Sequence, residues 1–543
     1  MLTKISGGRV LDPANGVDAV SDLWLDGERI AAPPVGGRAD EIFDATGCVV
    51  MSGAIDIHSH IAGANVNTAR LLLPEQHRAH MGRPAVTPLS NAGWSTFETG
   101  KLYAQMGFTT VVEPAVSPHH ALHAHLELSD TPVIDKAILA ILGNDDFGLS
   151  LIRDGAGPAA IRDHVASTLQ TTRALGIKVI NAGGAAAFKD NVRAFGFDDI
   201  VPHYGVTSRQ IVKALQRAVS DLGVPHPLHV HCNNLGLPGN VETALATIAA
   251  AEDLPLHLAH LQFYGYGTEG KLGFSSAAPK LAEAINKTRN VTIDVGQAMF
   301  GQTVTISSDV LRQFSARGQA SPRKYVIVDG DANGGGIMPY NYKSGSFANA
   351  VQFAVGLELF LLIEDPKRVF FTTDHPNGAP FTAYPDLFAL LMSRDVRAQW
   401  LEKLPAEALA MTTLPSLTRE YSWGEIATMT RAAPARLLGL KDRGHLAPGA
   451  RADVAIYRPG ADLAATFRHA VRVYKDGDCL VRDGELTHYR FGCALRLAPE
   501  PDAAMTRRIA DYYDRRHGLD AKLLSVPETA LPRDAFETVA CLS

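Results

Sequence analysis

Eight short apolar runs are spaced through the middle of this chain, with longer helix-like stretches between most of them: GAIDIHSH (53–60), FTTVVEP (108–114), PVIDKAILAILG (132–143), GIKVINAGG (176–184), PLHVHCN (227–233), LHLAHLQ (256–262), NVTIDVG (290–296) and RVFFTTDHP (368–376). Their length and near-continuous apolar character mark them as strands buried on both faces. Strand and helix in alternation imply right-handed βαβ units and a parallel sheet. Eight such strands over roughly 380 residues fit an α/β fold, a (β/α)8 TIM barrel with insertions. An open doubly wound sheet is the rival. The longest gap, 297–367, is expected to hold an insertion.

The two flanks read differently. Residues 1 to about 52 are short β-rich pieces divided by Gly7-Gly8, Asp12-Pro13 and Asp26-Gly27. Residues from about 445 to 490 are divided in the same way by Pro448-Gly449, Asp476-Gly477 and Asp483-Gly484. The expected division is therefore a composite β-sandwich domain from 1–52 and 440–490, a barrel over 53–439, and a polar, helix-like C-terminal extension over 491–543. The extension is a candidate interface with other subunits.

A net charge of −6 argues against a nucleic-acid binder. Five cysteines without a CxxC pair read as reduced thiols of a cytoplasmic protein. The start, MLTKISGGRVLDP, lacks the apolar core of a signal peptide. The most apolar window, Ala350 to Ile363, is broken by Gln352, Gly356 and Glu358 and reads as a buried helix rather than a membrane span.

Polar, metal-competent residues gather at the C-terminal ends of these runs, the face where barrel active sites are built. His58 and His60 are two apart, so both imidazoles share a face of the first strand, with Asp56 one step deeper as a candidate acceptor for them. His229 and His231 repeat the pattern on the fifth strand, and His231, nearer the mouth, is favoured as ligand. On the sixth, His260 at the strand end is the ligand candidate; His257, three residues away, is expected to face the helices. Asp374 ends the eighth strand, where an unpaired buried carboxylate is costly and a metal supplies the partner; capping the next helix is the alternative. His375 is expected to point away. Lys178 lies inside an apolar strand. Burial there lowers its pKa, and a neutral amine reacts with CO₂ to a carbamate suited to bridging two cations; an ion pair with a nearby carboxylate is the alternative. Imidazole and carboxylate ligands without thiolate favour two zinc ions over manganese, iron or nickel.

The stretches DATGCVVMSGAIDIHSH, RAAPARLLGL, APGARADVAIY and TDHPNGAP resemble the amidohydrolase superfamily, in its dihydroorotase- and hydantoinase-like branch. Within it, KVINAGG, HVHCNNLGLPGN, HLAHLQFYGYGTEG, NVTIDVGQAMFGQTVT and DGDANGGGIMPYNYKSGS resemble the A subunits of formylmethanofuran dehydrogenases and of bacterial formyltransferase/hydrolase complexes. The resemblance implies that His58, His60, Lys178 and Asp374 hold the first and bridging positions and that His231 and His260 hold the second metal. It implies hydrolysis of a formylated methanofuran-type cofactor to formate and free amine, within a complex of several subunits. The alternatives are a cyclic amide hydrolase and a metal-free scaffold subunit. Asp374 is the expected proton-transfer residue. Asn333, Tyr340, Asn341, Tyr342 and Lys343 of the Gly-rich insertion are read as lining the substrate entrance, and Asn233 and Asn234 as donors to substrate, with ordinary loop and turn roles as the alternative.

Overall fold

In the computed structural model, residues 1–72, 96–192, 195–307, 336–531 and 536–542 are described. Asn333 lies outside them. The eight runs form eight parallel strands: β1 (Ala54–Asp56), β2 (Phe108–Val116), β3 (Asp135–Leu142), β4 (Gly176–Ile180), β5 (Leu228–His231), β6 (Leu256–Leu258), β7 (Val291–Asp294) and β8 (Val369–Phe370). Each pairs with the next in chain order. The ring closes past the end of β8, where Ser59 bridges His375 and His60 N donates to His375 O at 2.9 Å. Helices such as Pro158–Thr172, Ser208–Asp221 and Ala278–Lys287 follow the strands and bury their apolar faces against them. Ser208–Asp221 is started by a capping box between Thr207 and Gln210, which satisfies two otherwise unpaired backbone donors.

The apolar window at 350–363 falls in Phe347–Leu362, a helix buried along nearly its whole length. The insertion ahead of it contains an antiparallel hairpin, Gly301–Ser307 with Gly336–Tyr342. Val304 and Ile337 of that hairpin pack with Ala69.

Strands from 2–52 and from 454–486 build one nine-stranded mixed sheet, in which Val49–Ser52 runs antiparallel to Val454–Tyr457. Its hairpin signals were legible for a stereochemical reason. Asp476-Gly477 and Asp483-Gly484 both have positive φ at both residues, as a two-residue hairpin turn of the mirror-image type requires. The tail beyond 490, whose structure the sequence left open, adds Ala494–Arg496 alongside Lys136 and Ala137 at the start of β3, and Phe536–Thr538 beside that. The extension therefore buttresses the end of the barrel opposite the metal-competent residues.

Candidate metal centre

The strand ends converge on one buried cluster. His58 Nε2 lies 3.1 Å from Asp374 Oδ1, and His60 Nε2 lies 3.3 Å from the same oxygen. Lys178 Nζ is 3.2 Å from His58 Nε2. On the neighbouring strands His231 Nδ1 faces His260 Nε2 at 3.0 Å. All six residues picked from the sequence as ligands thus lie in two adjoining groups.

The other ring nitrogens explain why. His58 Nδ1 donates to Asp294 Oδ2 at 2.9 Å, and His60 Nδ1 donates to Glu113 Oε1 at 3.0 Å. In the neutral ring each carboxylate fixes the tautomer and directs the Nε2 lone pair inward. Glu113 is held by the backbone N–H groups of Ile61 and Ala62, at 2.6 and 3.0 Å. Asp294 also accepts from His257 Nε2 at 3.0 Å and from the backbone of His260. Asp374 Oδ2 accepts from Asn377 Nδ2 at 3.0 Å, whereas its Oδ1 is buried without a hydrogen bond. The Nε2 atoms of two imidazoles and a carboxylate oxygen converge here, and His58, His60 and Asp374 form a group that could hold a metal ion, with all ligand atoms within 4.8 Å. The donor set fits a divalent metal.

Electrostatics agree. Burial opposes ionisation of Asp374, but the surrounding His260, His58 and His60 hold it well below the usual carboxylate range. Burial alone would lower His60, yet Glu113 and Asp374 outweigh it and hold the ring at about 9. Metal binding must therefore displace a proton there. Burial lowers the Lys178 amine, and the pull of Asp374, Asp294 and Glu113 does not reverse it.

Two expectations are corrected. His257 faces the barrel interior, on Asp294, rather than the helices. Strand alternation fails between 257 and 260 because β6 ends at Leu258 and His260 has φ 35°, in the left-handed region. Asp56 does not orient the His58 ring. Its Oδ1 accepts from the backbone of His58 at 3.0 Å and its Oδ2 from Tyr103 and Tyr384 at 2.8 and 2.7 Å, so Asp294 takes the role assigned to it. Asp294 and Glu113 went unassigned although each sits at the C-terminal part of its strand, the same signal that marked Asp374. His229 lies beneath His58, with Nδ1 3.0 Å from His226 Nε2. His375 is buried apart from the cluster and its Nδ1 accepts from Phe381 N at 3.3 Å.

The expected substrate contacts are mostly engaged within the protein. Asn233 bonds Asn181 and Ser208, and Asn234 bonds Thr243 at 3.0 Å from a left-handed backbone. Tyr340 pairs with Asn349, and Asn341 and Lys343 are exposed.

A barrel with this cluster at its mouth is the architecture of a metal-dependent amidohydrolase. A model of the Amidohydrolase family matches residues 41–488, and the chain belongs to that family. Along its whole length and that of the relative, the chain is 50% identical to the A subunit of the formyltransferase/hydrolase complex Fhc of Methylorubrum extorquens. It is 38% identical to "Protein FwdA" of Methanocaldococcus jannaschii, over 90% of this chain and 89% of that one. It superposes with a TM-score of 0.94, at 50% identity and complete coverage of both chains, on a chain of the crystal structure of the formyltransferase/hydrolase complex (FhcABCD) from Methylorubrum extorquens in complex with methylofuran.

Proposed function

We propose that this chain hydrolyses the formamide bond of a formylated methylofuran-type cofactor, giving formate and the free amine, as the hydrolytic member of a multi-subunit complex. The observation that carries the reading is full-length similarity at 50% identity to a chain of the Fhc complex, which binds methylofuran. In this reading His58, His60 and Asp374 would hold one divalent ion and His231 with His260 a second, zinc being favoured, with Lys178, once carboxylated by CO₂, as a shared anionic ligand. When bound, the ions would supply a nucleophile at neutral pH and charge stabilisation for the formyl oxygen.

The chain's own residues supply the rest. Asp294 and Glu113 hold the His58 and His60 rings in place, so their lone pairs are aligned before substrate arrives. Asn377 grips Asp374 Oδ2 and leaves Oδ1 in the cluster, where it would serve both as ligand and as the oxygen next to the reacting water. Asp374 takes the proton of the water as its oxygen bonds to the formyl carbon. It returns that proton to nitrogen as the C–N bond breaks, so the amine leaves neutral and the formic acid formed with it releases its own proton to water as formate.

The test is a substrate screen of the purified protein with its partner subunits. Formylated methylofuran should release formate, while hydantoin and dihydroorotate should not turn over. Turnover of the cyclic amides alone would replace this reading with a cyclic amide hydrolase.

A further inference from the structure

Around the cluster, buried tyrosines have partners for their hydroxyls. Tyr264 donates to Cys232 O at 2.8 Å, Tyr266 receives Gln262 Nε2 at 2.7 Å, and Tyr103 and Tyr384 donate to Asp56. Tyr342 differs. It is 2% exposed, and among the described residues its hydroxyl is the one tyrosine oxygen that is buried with no hydrogen-bond partner. A hydroxyl out of water and unpaired is a cost to the fold and calls for a reason.

Its position gives one. Tyr342 ends the insertion strand Gly336–Tyr342, opposite Gly301. The hairpin is fastened to the loop that carries Asp374. Thr303 Oγ1 donates to Pro376 O, and Ile306 N donates to Asn377 Oδ1 at 2.6 Å, while the amide of Asn377 holds Asp374. Burial, with the fields of Tyr340, Tyr266 and Asp374, pushes the Tyr342 phenol well above its ordinary 10, so it keeps its proton. Tyr340 cannot serve in its place, because its hydroxyl is tied to Asn349.

We propose that the Tyr342 hydroxyl is a catalytic hydrogen-bond donor to the formyl oxygen of the substrate. This rests on the formamide reading above. As the water oxygen bonds to carbon, the C=O pair moves onto the formyl oxygen, and the Tyr342 O–H bond to it strengthens with the charge. As that pair returns and C–N breaks, the interaction relaxes. Tyr342 neither gains nor loses a proton; the proton passes through Asp374.

The test compares wild type and Tyr342→Phe in the assembled, metal-loaded protein, with formylated methylofuran as substrate. The variant should lower kcat about 10²-fold, the loss typical of one oxyanion donor, with KM changed far less. Metal content should be unchanged. The Tm should be equal to or above that of wild type, because no bond in the resting protein is lost. A kcat within about twofold of wild type overturns the role while leaving the formamide reading intact. So does a variant that melts lower or fails to fold, since the hydroxyl is then structural. Wild type that releases no formate overturns the formamide reading, and the tyrosine role with it.

Discussion

Lys178 and Lys475 are buried alike, at 1% and 0% exposure, and their surroundings pull them in opposite directions. Lys475 sits where the terminal sheet meets the barrel, with Asp476 at 2.9 Å and Asp135 and Asp453 at 3.3 Å. Burial works against its charge, but the three carboxylates win and hold the ammonium above its usual range. Arg443 adds a second cation on Asp135 at 2.9 Å. Lys178 has a histidine nitrogen as its near neighbour and carboxylates only at longer range, and burial wins. Depth does not decide the state of a lysine. Dedicated carboxylates do: they surround Lys475 and keep it charged, and their distance from Lys178 leaves burial to lower that amine.

The sharpest way to break the contrast is to remove each amine in turn. Lys178→Ala should lose both metals by elemental analysis and lower turnover by at least about 10³-fold, because metal charge stabilisation is worth several kcal/mol. Short carboxylic acids should restore part of both. Lys475→Met should retain metal and turnover but lose about 3–5 kcal/mol of stability in denaturant titration, because it strands buried carboxylates. Swapped outcomes would erase the distinction.

His125 extends the rule to a third buried base. Burial, helped by the nearby Arg173 charge, lowers it to about 4, and the hydrogen bond to Thr172 O opposes them only in part. Its folded value is below the unfolded one, about 6.5. The unfolded chain therefore binds the extra proton first, and the contribution is full above pH 6.5 and lost as pH falls toward 4. The loss should reach roughly 3 kcal/mol. His125→Gln should flatten stability over that window; an unchanged slope would show that burial alone does not set this group.

The smallest effect concerns the residues behind the ligands. Asp294→Asn should weaken metal binding about 10–100-fold by competition with a chelator, without unfolding the barrel, because the His58 ring loses its carboxylate.

The eight barrel strands were legible because parallel strands buried on both faces leave unbroken apolar runs, and the pair His58 and His60 followed from strand parity alone. Parity failed at His257 because the backbone turns left-handed at His260 before the strand rule can be applied. Asp294 and Glu113 carried the right signal, a carboxylate at a strand's C-terminal part, but their role depends on which imidazole lies across the barrel, and that is a tertiary fact. The tail strand Ala494–Arg496 is three residues long and pairs with β3, far away in sequence, so no local pattern announces it. Asn377 stood in the quoted TDHPNGAP stretch, yet its grip on Asp374 depends on the tight turn after β8.

Anomalous diffraction from crystals of the purified protein, collected across the zinc edge, tests the centre most directly. The expected result is two peaks, one at His58, His60 and Asp374 and one at His231 and His260, joined by density continuous with Lys178 Nζ. A bare, unmodified amine with no peak at either position, even after reconstitution with metal and bicarbonate, would contradict it.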